Sequence, residues 1–193
     1  MVSKREQILT AAGTLIRREG LTALTTKRVA QEAGCAEGTI FNIFGDKGAL
    51  IAAVLSFGLD ETRALDAAYA KAPEMGLREG LTLIASALVN FYRASYPLAA
   101  SALADRAVFE RYAAAHRNNG TGPQQPWQLL REFLASHEHG LRSEADLDMV
   151  ALQVVGACQN AVWIELVSGP EVLSLPTQVF AARLADQAIR QIV

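Results

Sequence analysis

The side chains able to do chemistry in this sequence are few, and most stand where they cannot cooperate. His137 and His139 flank Glu138, but residues two apart on a helix point about 200° apart, so they read as a solvated face rather than a metal pair. Cys35 and Cys158 lie far apart inside apolar patterns, which suits small core residues and neither a zinc site nor a disulfide framework. There is no Glu-x-x-His carboxylate pair, no phosphate-cradling glycine loop and no Ser/His/Asp elbow. The expectation is therefore no catalytic residue, no metal and no cofactor. A different kind of set occurs near the start: Thr26, Lys27, Arg28, Thr39, Asn42 and Lys47, hydrogen-bonding and basic groups within one short stretch. Up to Gly48, seven Lys/Arg stand against five Asp/Glu, leaving that head at +2 and the remainder at −4 within a net charge of −2. A mildly basic head on an acidic body is what a chain shows when only its first quarter touches phosphate.

The elements that must position these groups are helical. With 193 residues, 51% apolar and 20% charged, the chain can bury a large core without staples. Apolar spacing is helical nearly throughout, with no period-2 run bounded by turn residues, so the class is all-α. Ser3 caps a predicted helix from about Lys4 to Glu19, with Ile8, Leu9, Ala12, Leu15 and Ile16 on one stripe and Gly20 as its stop. Thr25 caps a short helix from Thr26 to Ala33, Gly34 ends it, and a third runs from Glu37 to Phe44. Asp46 caps a fourth expected to reach about Ala72. Five more fit at about Leu77 to Ser95, Leu98 to Ala115, Trp127 to His139, Glu144 to Val167 and Thr177 to Ile192, giving about nine. Pro97 is read as a helix break, and His116 to Pro126 as a loop. No internal repeat is visible.

Two short helices joined by a tight glycine-containing turn, after a longer helix, make a helix-turn-helix unit. Thr25, Val29, Ala30, Ala33, Gly34, Cys35 and Ile40 have the sizes to pack the pair, which leaves the polar and basic set pointing outward. The run Ile8 to Ala12, then Gly20, then Thr25 to Phe44, and Asp46-Lys47, resembles the DNA-binding domain of the TetR family of bacterial transcriptional regulators. The resemblance covers about the first quarter. It implies a three-helix DNA-binding domain over 1–48 and a helical ligand-binding and dimerisation domain over 49–193. Position by position, it assigns DNA contact to Thr26, Lys27 and Arg28, to Gly38 and Thr39 at the start of the recognition helix, to Phe41 and Asn42 on its exposed face, and to Lys47 at a phosphate. Asn42 is the candidate base reader, since an amide can pair with an adenine edge. The sequence departs from the family's pattern at three positions. Ala36 stands where a capping residue is usual, forgoing about 1 kcal/mol. Phe41 and Ile43 stand where Tyr and then Tyr or His are usual and cannot donate hydrogen bonds to phosphate, which implies either a lower operator affinity or one carried more by apolar contact with thymine methyls.

The body carries two further expectations. In the helix from Glu144, Leu147, Val150, Val154, Ala157, Cys158 and Ala161 form one stripe, and Leu152, Val155, Val162 and Leu166 a second. Two apolar faces imply a core on one side and a second copy on the other, with the last helix (Val179, Phe180, Leu184, Ile189, Ile192) completing a four-helix interface; the alternative is a helix central in a monomer. In the family resembled, the last two helices build such a dimer. Gln153, Gln159, Asn160 and Glu165 argue that this stretch lies in water rather than lipid. Aromatic residues gather in the body, among them Phe91, Tyr92, Tyr96, Phe109, Tyr112, Trp127, Phe133 and Trp163. The resemblance implies a cavity there for a small effector, which such a lining would make largely apolar; the alternative for each is ordinary core.

The expectation is a ligand-responsive, homodimeric repressor of a palindromic operator. No basic n-region followed by an apolar run opens the sequence, so a cytoplasmic location without membrane partners is expected. The alternatives are an all-helical cofactor-binding bundle or enzyme, and an adaptor that has lost DNA binding.

Overall fold

The computed structural model describes residues 2–20, 23–57, 60–103, 106–119 and 122–193, excepting the side chains of 55–57, 60, 98, 101, 102, 112, 115, 116, 118 and 119. Among the described residues there are ten α-helices and no strand: α1 (Lys4–Glu19), α2 (Thr26–Glu32), α3 (Glu37–Phe44), α4 (Lys47–Phe57), α5 (Asp60–Lys71), α6 (Leu77–Leu103), α7 (Arg106–Asn119), α8 (Gln125–Ala135), α9 (Leu147–Ser168) and α10 (Thr177–Ile192). Local chemistry sets several ends. Ser3 and Glu6 form a reciprocal capping box on α1, and Gly20 stops it at φ 81°, a conformation glycine adopts without strain. Asp146 caps α9 through the Met149 N–H at 3.0 Å, three residues later than the sequence suggested.

Besides the later start of α9 and the end of α8 at Ala135 rather than about His139, three boundaries differ from expectation. Pro97 does not end a helix; α6 runs straight through it for 27 residues. Proline removes one intrahelical bond, here the one to the Arg93 carbonyl, and 27 residues of apolar periodicity outweigh that loss. The segment from His116 is helical as far as Asn119, and Pro126 lies in the first turn of α8, where a missing N–H costs nothing. The single fourth helix expected up to about Ala72 is α4 and α5, and the joint at 58–59 lies outside the described residues.

The chain divides into two compact units. The first comprises 1–62 and 94–122, the second 63–93 and 123–193. In the first unit, Ile8, Leu9, Ala12, Leu15 and Ile16 of α1 meet Leu24, Val29 and Ala30, Ile40 of α3, and Leu50, Ile51 and Val54 of α4, with Val108 of α7 closing the cluster. The α1 stripe therefore faces inward as its spacing requires. In the second unit α8, α9 and α10 pack with α5 and the first part of α6. Ile84, Leu88, Leu130, Leu134, Val154, Cys158 and Ala185 are among its buried residues.

In α9 the buried side comprises Val150, Ala151, Val154, Val155, Cys158, Ala161 and Val162. Val155 and Val162, expected on the second stripe, thus belong to the core. The outward apolar residues are Met149, Leu152, Trp163, Leu166 and Val167. The helix is long and apolar enough by composition to cross a membrane, but seven of its residues are buried inside the protein. Its Glu165 pairs with Arg93 through two bonds of 2.7 Å.

Candidate nucleic-acid interface

The turn between α2 and α3 is built by its smallest residues. Thr25 accepts the Arg28 N–H at 3.2 Å and starts α2. Gly34, at φ 59°, turns the chain in the left-handed region, and the Cys35 N–H reaches back to the Ala30 carbonyl at 3.0 Å. Ala33 and Cys35 then pack against the core, so the turn holds the two helices at a fixed angle. Ala36 gives α3 no side-chain cap, as its residue type requires. Glu37 instead accepts a hydrogen bond from the Thr26 hydroxyl, tying the first residue of α3 to the first turn of α2. Only Ile40 of α3 is fully buried, with Phe44 packed beside it under the Arg5 guanidinium, 5.6 Å from the ring centroid.

That anchoring sets what α3 shows to solvent. At 100° per residue, Asn42 lies opposite the Ile40 and Phe44 side and is exposed, with Gly38 exposed and Thr39 half-buried near it. Phe41 and Ile43 flank Asn42 and are 46% and 36% exposed. Lys27 and Lys47 are exposed, and Thr26 is half-buried under its bond to Glu37. Arg28 is not free: its guanidinium meets Glu19 at 2.6 Å and the Ala23 carbonyl at 3.3 Å. Arg18 joins the same lacework through Glu19 and Glu32, and these contacts hold the Glu19 carboxyl below its ordinary range, Arg28 contributing most. Each exposed pair is worth little alone, so Arg28 could exchange Glu19 for a phosphate at small cost.

The start of α4 is fixed from two sides. Asp46 accepts the Ala49 N–H at 2.9 Å, and that bond, with Arg111 of α7 and the Gly48 N–H, keeps its carboxyl below the usual carboxylate range. Arg111 pairs directly with Asp46. Gly48 makes room for it, since a Cβ there would lie 2.8 Å from the Arg111 Nη1. The position of Lys47 therefore depends on a residue of α7. Sequence reasoning missed Arg111, Glu37 and Arg5. Glu37 carried a signal, an acidic residue in the first turn of a helix without a cap; the others carried none.

The aromatic residues of the body fall in different places. In the second unit, Tyr92 is buried, Phe91 meets it edge-on at 5.2 Å between centroids, and Phe133 packs against His137. Trp127 is half-buried and donates its indole N–H to the Asp148 carbonyl at 3.1 Å. Trp163 is 56% exposed on the outward side of α9. In the first unit, Tyr96 is half-buried and Phe109 more exposed, while the Tyr112 side chain lies outside the described residues. A small cavity of about 10 Å³ in the second unit is lined by Val89, Ala161, Leu173, Leu175 and Phe180 around the Arg93, Glu165 and Thr177 cluster. It is far below the size of a ligand site. Among the described residues no group of His, Cys, Asp and Glu could hold a metal ion.

Residues 8–54 match the model of the bacterial regulatory proteins, tetR family. Their span runs from Ile8, the first core residue of α1, to Val54, the last core residue of α4 among the described side chains, and contains the whole outward face described above. No curated protein matches the sequence. Among solved structures, the chain is similar to a TetR transcription regulator from Haloarcula marismortui, with TM-score 0.70 and 18% identity over 98% of each chain. It is also similar to the fatty acid degradation regulator FadR from Bacillus halodurans, with TM-score 0.67 and 17% identity over 98% of this chain and 96% of that one. A third is the transcriptional regulator FadR from Bacillus subtilis in complex with stearoyl-CoA, with TM-score 0.66 and 15% identity over 97% of this chain and 98% of that one. At these identities the likeness is one of fold.

Proposed function

We propose that this chain, whose residues 8–54 match the model of the bacterial regulatory proteins, tetR family, is a homodimeric repressor that grips a palindromic operator and releases it when a small, largely apolar effector binds the helical body. The observation that carries this reading is the outward face of α3, with Asn42 at its centre and exposed lysines at 27 and 47 on the neighbouring helix starts. A helix fits the major groove, its outward side chains meet base edges, and lysines beside it neutralise phosphates. In this reading Asn42 pairs with an adenine edge, Thr26, Lys27, Arg28 and Lys47 hold the backbone, and Gly38 and Thr39 let the start of α3 approach closely. We place the DNA reader in residues 1–48 and the sensing and pairing functions in 49–193.

The exposed row of Met149, Leu152, Trp163, Leu166 and Val167 on α9, with Val179 on α10, supports pairing of two copies through the last two helices. Two copies present two recognition helices, which is why a palindrome is the matching target. The stearoyl-CoA bound to the Bacillus subtilis protein of like fold supports an effector with a long apolar part. A regulator of this kind works in the cytoplasm. Genomic footprinting with the full chain tests the reading: the expected result is protected palindromes whose half-sites lie about one helical turn apart or a multiple of it. Protection without sequence preference, or none at all, would overturn it.

A further inference from the structure

Between Lys4 and Val54, every large apolar side chain among the described residues lies in the core or against it, with two exceptions. These are Phe41 and Ile43, on the recognition helix, one on each side of Asn42. The residues that hold the helix down, Ile40 and Phe44, account for its packing, so neither exception is needed to attach it. Exposing two large apolar groups in water is unfavourable unless something covers them. The face they flank carries the exposed Asn42 amide, and the exposed lysines at 27 and 47 suit a phosphate-bearing partner rather than an apolar protein surface.

Neither the benzyl group of Phe41 nor the sec-butyl group of Ile43 can donate to phosphate or pair with a base edge. In the major groove just one apolar group is on offer, the C5-methyl of thymine. We infer that Phe41 and Ile43 are specificity-determining residues that read thymine methyl groups, on base pairs to either side of the one that Asn42 reads. The inference rests on the DNA-binding reading above and adds what the operator must contain. Residues two apart project about 200° apart, so the two side chains contact different base pairs rather than one. With an amide suited to adenine between them, all three outward positions favour A·T pairs.

The test uses a duplex selected by the full-length chain from a random pool, with each thymine then replaced singly by deoxyuridine, which lacks only the methyl. At two positions in each half-site the loss of one buried methyl should weaken binding about fourfold, or about fifteenfold when both half-sites are changed. Phe41→Ala should abolish the thymine-to-uracil difference at one of these positions, and Ile43→Ala at the other; because both side chains are more than half covered, each variant should melt somewhat lower, while keeping the helical circular-dichroism spectrum of the wild-type chain. If the selected duplex is bound equally well with uracil at every position, or if the difference persists in both variants, the inference is overturned and the regulator reading stands. If no duplex is selected from the pool, the regulator reading itself fails and this inference with it.

Discussion

Trp163 is 56% exposed on α9 in the isolated chain, and the proposed dimer needs a partner to cover it. Taking about 250 Å² for a whole indole side chain, roughly 140 Å² stays in water. At about 25 cal/mol per Å², covering it is worth roughly 3.5 kcal/mol per copy. The two-fold axis brings in a second copy of the same contact. Trp163→Ala should therefore weaken dimerisation by at least about 4 kcal/mol, or roughly a thousandfold in dissociation constant. Sedimentation velocity over a concentration series reads this directly. The wild-type chain should sediment as a dimer at micromolar concentration, and the variant as a monomer. Trp127→Phe supplies an independent signal, because the chain has two tryptophans and Trp163 then remains alone. Its emission should shift to the red as dilution splits the pair. A variant that keeps the wild-type mass across the whole series would refute the assignment of this face.

The paired groups of the second unit give a pH-dependent test. Glu165 is 16% exposed and Arg93 36%, and the Arg93 guanidinium holds the Glu165 carboxyl below its ordinary range. A depressed carboxyl contributes stability at pH values above its unfolded value of about 4.3, and that contribution is lost as pH falls through the lower folded value. Glu165→Gln should cost about 1–2 kcal/mol at pH 7, discounted for the half-exposed guanidinium, or roughly 3–6 °C in melting temperature. The gap to wild type should close in acid below the carboxylate range; an equal gap at pH 7 and pH 3 would contradict this origin. Gly80→Ala should destabilise by about 1–3 kcal/mol despite alanine's better helix propensity, because its Cβ would lie 2.5 Å from Phe133 Cζ and 3.0 Å from the Ala72 carbonyl oxygen; an unchanged denaturant midpoint would contradict that packing. Burial pushes the Cys158 thiol up to about 12, whereas Cys35 is half-buried. A thiol reagent should therefore label Cys35 in the native protein and Cys158 only after unfolding, and equal labelling rates would count against the described burial.

What could be read in the sequence was what local chemistry decides. α1, α3 and α10 begin and end where their caps and spacing put them, since Ser3, Gly20 and Gly45 act on the nearest turn and Pro176 precedes a clean apolar period. The inward residues of the first unit and the outward position of Asn42 followed from the same periodicity. Contacts between distant residues left no local trace. Arg111 and Asp46 are 65 positions apart, so nothing near Lys47 announced the residue of α7 that steadies it. Arg28 read as a free cation because Glu19, its partner, lies on another helix. Pro97 illustrates the opposite failure: a strong local signal was overridden by the continuous 27-residue helix in which it stands. On α9, two faces were visible in the pattern, but Val155 and Val162 sit near the border between them, and only the neighbouring helices decide which side they join.

The most direct measurement is the salt dependence of binding between the full chain and a selected palindromic duplex, with the number of protomers per duplex counted in the same experiment. The expected outcome is two protomers on each duplex and an affinity that falls steeply and linearly in log–log form as salt rises. Lys27→Ala and Lys47→Ala should each reduce the steepness by about one or two units, one contact per protomer. An affinity indifferent to salt, or a slope unchanged by both substitutions, would contradict the claim that residues 26–47 grip the phosphates of a double helix.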